Sequence, residues 1–162
     1  MKSKTHPMFS LVRIAFAASA LLPSVACAID WSGTTGPFGD ASNWTGGAVP
    51  SAADATISNG GTATITTGNT FGVNSFKVGG HAGTGFVTQD GGSVTATQFI
   101  LGGDDAGGAT GQGTYTMSGG SLSGPGGEMW IGSKGGTGNL QLSGGATVTN
   151  NTWIVIGRDG SS

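Results

Sequence analysis

The 162-residue chain has one cysteine, two histidines and six basic residues, and charged side chains make up only 9% of it. A single thiol, Cys27, excludes a disulfide framework. Long hydrophobic runs are missing too. The longest apolar stretch, IAFAASALL (residues 14–22), falls short of the about 20 residues that a bilayer-spanning helix needs. No extended 3.6-residue apolar periodicity occurs after it, so helices are not expected. A fold built from this chain has to draw its stability from burial and backbone pairing.

What is present at the N-terminus has the order of a secretory signal peptide. Lys2, Lys4 and Arg13 precede the apolar stretch, and Pro23 and the small-residue sequence ACA follow it, ending at Ala28. Residues 1–28 are therefore expected to be removed and the product to leave the cytoplasm. A lipid-modified Cys27 is the alternative, although Ser24 stands where an aliphatic residue is usual. Cleavage leaves residues 29–162 with three bases, Lys77, Lys134 and Arg158, against eight acids, a net charge of −5. Such a balance argues against nucleic acid as a partner, because phosphate binding needs a basic surface. One domain suits this length.

All 34 glycines lie after residue 28, and they are periodic. The phrases SFKVG, QFILG, EMWIG and WIVIG end at Gly79, Gly102, Gly132 and Gly157, at similar intervals of which the longest separates Gly102 from Gly132. Double glycines recur at 91–92, 119–120 and 144–145, with an older pair at Gly60–Gly61. Within each unit the apolar residues alternate, which is the period of a strand with one buried face. Phe76 and Val78, Phe99 and Leu101, Met129 and Ile131, and Ile154 and Ile156 form one set. Val87, Tyr115 with Met117, and Leu140 with Leu142 form a second. Val94, Leu122 and Val148 form a third, with Val148 displaced by one residue. Short strands joined by glycine-rich corners at this repeat length predict an all-β, right-handed parallel β-helix, handedness following the usual crossover chirality. A β-propeller competes, but its blades need about 40 to 50 residues.

Residues 29–58 read differently, with two tryptophans, two prolines and three acids. They are expected to cap the solenoid of residues 59–162, with Trp31, Phe38 and Trp44 as a lid over its first rung. An aromatic platform for sugar is the alternative for these three. The pattern of Trp31, Phe38-Gly39-Asp40, Asn43-Trp44, Val49-Pro50 and Asp54-Ala55 resembles the N-terminal block of large bacterial surface and secreted repeat proteins, among them autotransporter passengers and PEP-CTERM-sorted proteins. The later G-T-G, S-G-G and aliphatic-x-aliphatic-Gly phrases resemble their repeats. The resemblance implies a β-helical passenger at the cell surface, adhesive or matrix-forming, with no catalytic residue to carry over. The chain departs from such proteins in having no outer-membrane barrel and no C-terminal sorting segment, and the solenoid is expected to be incomplete after RDGSS.

Candidates for chemistry are few. His81, the one histidine after cleavage, lies in the corner GGHAG and reads as an exposed loop residue. With no cysteine beside it, the usual zinc sets cannot be assembled. Asp104-Asp105 reads as a solvated turn, lacking the GGxGxD repeat of calcium β-rolls. Many parallel β-helices cleave glycans, but that chemistry needs acids in register on adjacent rungs. Here Asp90 occupies the place of Ser118 and Ser143, Glu128 stands alone, and Arg158 is the sole arginine after cleavage. No cofactor is expected. The outward positions Lys77, Ile100, Trp130 and Val155 are apolar on three successive rungs, so Ile100, Trp130 and Val155 form a candidate contact stripe, unless a later segment or loop covers that face. The sequence thus points to a non-catalytic, exported scaffold at the cell surface, associated with the outer membrane or extracellular. Its expected partner is a surface glycan, a protein, or a second copy through an exposed terminal rung. A glycan-binding module and a glycan-cleaving lyase or hydrolase stay open as alternatives.

Overall fold

The computed structural model describes residues 28–104 and 110–159; the expected signal peptide up to Cys27, and Asp105, lie outside them. Thirteen strands follow one another: β1 (Ile29–Asp30), β2 (Thr35–Pro37), β3 (Ala55–Ile57), β4 (Asn59–Ile65), β5 (Thr70–Val78), β6 (Thr84–Gln89), β7 (Ser93–Leu101), β8 (Gln112–Met117), β9 (Ser121–Gly124), β10 (Met129–Ser133), β11 (Thr137–Leu142), β12 (Thr147–Asn150) and β13 (Ile154–Arg158). The helical content among the described residues is two short 3-10 turns, Ala41–Asn43 and Thr45–Gly47. No helix among them is long and apolar enough to cross a membrane.

Every strand-to-strand pairing is parallel, and each strand pairs with its counterpart one repeat away. One sheet runs β1-β3-β5-β7-β10-β13, with β9 and β12 attached beside it; the other runs β11-β8-β6-β4-β2. This is a parallel β-solenoid of about five turns. A propeller blade, by contrast, would pair its strands as antiparallel neighbours.

The alternating residues of the sequence stack as columns. Ala55, Phe76, Phe99, Met129 and Ile154 are successive partners, as are Ile57, Val78, Leu101, Ile131 and Ile156. Ala63, Val87, Tyr115 and Leu140 line the facing sheet. Val148 pairs in register with Leu122, so its one-residue displacement is absorbed in the corner before β12. Burial is nearly complete from β3 to β10 and fades at the last coil.

The glycine closing each aliphatic phrase is a structural requirement. Gly102 has φ +74°, and a Cβ there would sit 2.0 Å from the Thr137 carbonyl oxygen of the next coil; Gly79 meets Gln112 in the same way. The pair Gly60–Gly61 turns out differently from the sequence reading. It lies at the start of β4, where the β4–β6 register shifts, and not at the corner that follows the strand. The corner equivalent to Gly91–Gly92 is Thr67–Gly68, since Ile65 pairs with Gln89.

At the N-terminal end, Trp31, Phe38 and Trp44 are buried. Trp44 packs edge-on against Trp31 at 5.0 Å and Phe38 at 4.8 Å, and its indole N–H donates to the Phe38 carbonyl at 2.7 Å. Phe38 then meets Phe76 at 5.6 Å, and the contacts continue to Phe99 and Tyr115. The lid and the core are therefore one aromatic column. Their burial closes a sugar-stacking role to Trp31, Phe38 and Trp44. The same segment also supplies β1 and β2, the first strand of each sheet.

Inside the core one polar pair is closed on itself. Tyr115 donates its hydroxyl to Gln89 Oε1 at 2.7 Å, and the Gln89 amide donates to the carbonyls of Gly92 and Ser121. Burial pushes the Tyr115 phenol well above its ordinary pKa. Because the folded value is raised, this group's contribution is fully present below the unfolded value of about 10 and is lost as pH rises past it. Thermal unfolding measured against pH should show a fall in stability above about pH 10 that is smaller in Tyr115→Phe. At neutral pH that variant should lose about 1 to 3 kcal/mol, since Gln89 Oε1 is left without its donor.

Candidate functional site

The three stripe residues occupy one column: Lys77 pairs with Ile100, Ile100 with Trp130 and Trp130 with Val155. They point away from the core, as strand parity requires, but they do not form an exposed patch. Ile100 is 0% and Trp130 8% exposed, and Val155 is half-buried. The cover is visible at Lys77 and at Trp130. The corner after β5 folds back so that Gly80 lies over Thr56 and Lys77, and the corner after β7 brings Asp104 against Lys77. Farther along, the Arg158 guanidinium sits over the Trp130 ring at 4.1 Å.

Under the corners lies an ion cluster. Asp104 is buried, not solvated as its turn sequence suggests, with Oδ1 3.4 Å from Lys77 Nζ and Oδ2 2.9 Å from His81 Nδ1. The Ser133 hydroxyl donates to the Asp104 carbonyl at 3.3 Å. His81 keeps about half its side chain exposed and has φ +52°, as does its neighbour Ala82 at +60°. A histidine oriented by a buried carboxylate is half of a nucleophilic arrangement. The serine of this cluster, however, is turned to a backbone carbonyl, and no hydroxyl among the described residues bonds the ring. What the cluster visibly does is tie the corners after β5 and β7 to the outer face of the sheet. Reading His81 as a plain loop residue missed its carboxylate partner. The signal was the spacing, since Asp104 follows His81 by the same interval that separates Gly79 from Gly102.

Glu128 and Arg158, isolated in sequence, form a second cluster. Arg158 Nη1 lies 2.5 Å from Glu128 Oε2, which also accepts from the Trp130 indole at 2.8 Å. Among the described residues, no group of three or more His, Cys, Asp or Glu side chains converges as metal ligands would.

Apart from Phe86, the large exposed apolar side chains among the described residues sit on the last described coil. Trp153 is 71%, Ile156 75%, Leu142 50% and Ile154 48% exposed, although Leu142, Ile154 and Ile156 continue the core columns. β13 and β11 are the edge strands of the two sheets, so their outer backbone groups face outward along the same rung.

The chain matches no protein-family model, no curated protein and no solved structure. Its class is set by its own geometry: a parallel β-solenoid closed at one end by an aromatic lid.

Proposed function

We propose that the chain is a non-catalytic, exported scaffold of the cell surface, similar to the passengers of autotransporters and to PEP-CTERM-sorted proteins, whose coils serve as a spacer and adhesive face. The observation that carries this reading is the contrast between the two ends of the column. Trp31, Phe38 and Trp44 seal the first coil, whereas the last described coil presents four large apolar side chains, Leu142 on β11, Ile154 and Ile156 on β13, and Trp153 just before it. Extension by stacking, onto further coils or a second copy, is the interaction such an end supports. The leader of residues 1–28 and the low charge suit an exported product.

Two measurements test this. Expressed in a bacterial host, the protein should be recovered outside the cytoplasm, with an N-terminus at Ile29 by mass spectrometry; an unprocessed cytoplasmic product would contradict the proposal. Light scattering of the processed chain, residues 29–162, should show concentration-dependent association. Ile156→Lys should reduce it at least severalfold, because a charge on an edge opposes strand addition. A chain that stays monomeric at high concentration would overturn the role of this end.

A further inference from the structure

The outer face of the β4-β6-β8 sheet carries a groove that the scaffold role leaves unexplained. Its volume is about 500 Å³, within the size range of small-ligand sites. Two outward columns of side chains line it, with Ile65 and Gln89 between them. Thr64, Thr88 and Thr116 are successive register partners, and Thr66, Asp90 and Ser118 follow one residue beyond Ile65, Gln89 and Met117. Rungs about 4.8 Å apart make this a regular array of hydroxyls, interrupted at its centre by one carboxylate. Beside it, Phe86 faces the same way as Thr88 and is 37% exposed, an unusual position for an aromatic side chain in this molecule.

We infer that this groove binds a neutral polysaccharide, lying across the coils with one sugar face against Phe86. Threonine and serine hydroxyls both donate and accept; Thr66 and Thr116 already donate to Asn69 and Gln141 and keep their acceptor sites, so the array matches the hydroxyls of a sugar chain, and a ligand that repeats suits a site that repeats. Charge settles the class. Asp90 pairs with no side chain among the described residues, and the cations Lys77, Lys134 and Arg158 belong to the other sheet and its corners. An acidic glycan or a phosphate would meet an uncompensated carboxylate. A protein partner would need a larger apolar anchor than one half-exposed ring. The inference rests on the surface-scaffold reading for its biological sense, since it gives the adhesive face a ligand.

The test uses the full chain and an array of oligosaccharides, neutral hexose polymers beside polyuronates. Binding should be confined to neutral members. Phe86→Ala should weaken it by roughly tenfold, about the worth of one good aromatic contact, and Phe86→Tyr should retain it. Thr88→Val keeps the shape of an exposed β-branched residue and should weaken binding, whereas Thr95→Val on the other sheet should not. Circular dichroism and the thermal transition of each variant establish that it is folded. Preference for polyuronates, equal losses from Thr88→Val and Thr95→Val, or no neutral glycan bound by the folded parent would each overturn the inference. Export with processing at Ile29 but without glycan binding sinks this site alone. Cytoplasmic retention with glycan binding sinks the scaffold reading alone.

Discussion

Gly102→Ala is expected to cost the protein about 3 kcal/mol or more, roughly 10 °C in thermal midpoint. The left-handed backbone at φ +74° accounts for about 1 to 2 kcal/mol of that in any residue with a Cβ. The remainder comes from the collision at 2.0 Å with the Thr137 carbonyl oxygen, a backbone atom that cannot move without shifting a whole coil. Gly68→Ala separates the two effects. Gly68 has φ +86° but nothing within 4 Å of its virtual Cβ, so that variant should show the backbone cost alone. Thermal denaturation of the pair therefore measures how tightly the coils stack. Equal losses would mean that the corner after β7 is not pressed against the next coil.

Phe38→Ala is expected to be as damaging, at about 3 to 5 kcal/mol, the usual cost of deleting a fully buried phenylalanine. Phe38 joins the Trp31–Trp44 lid to Phe76 and Phe71, so its removal opens a cavity between the lid and the first full coil. Trp153→Ala removes a larger ring but should change stability by less than about 0.5 kcal/mol, because that ring is 71% exposed. Chemical denaturation of both variants checks the asymmetry between the aromatic lid and the exposed last described coil. A similar loss for both would show that the last coil is as well packed as the first.

Much of the fold was legible because a solenoid writes its architecture as local repetition. The phrases ending at Gly79, Gly102 and Gly132 give strand parity, and their recurrence gives register; Phe76, Phe99 and Met129 stack as alternation requires. Cover of the stripe was left open by the sequence, and the side-chain contact that provides part of it was not legible. Parity correctly turned Ile100 and Trp130 away from the core, but it carries no information about corners that fold back over the outer face. The contact of Arg158 with Glu128 and Trp130 depends on side-chain reach between coils, which strand patterns do not encode. Gly60–Gly61 misled for the opposite reason: a dipeptide identical to the corner pairs serves at a register shift instead. The groove needed the register of three coils before Thr64, Thr88 and Thr116 could be seen as neighbours, since each lies a full repeat from the next along the chain.

The parallel, coil-on-coil register underlies every assignment made above, from the glycine collisions to the hydroxyl array. Inter-strand contacts measured by nuclear magnetic resonance on the folded protein test it most directly. Backbone protons of Thr88 should lie close to those of both Thr64 and Thr116, and the neighbouring residues Val87 and Gln89 should follow in the same direction, with Val87 meeting Ala63 and Tyr115 and Gln89 meeting Ile65 and Met117. A ladder that runs in the opposite direction, or contacts between β6 and its sequence neighbours β5 and β7 in place of β4 and β8, would contradict the solenoid and every site built on it.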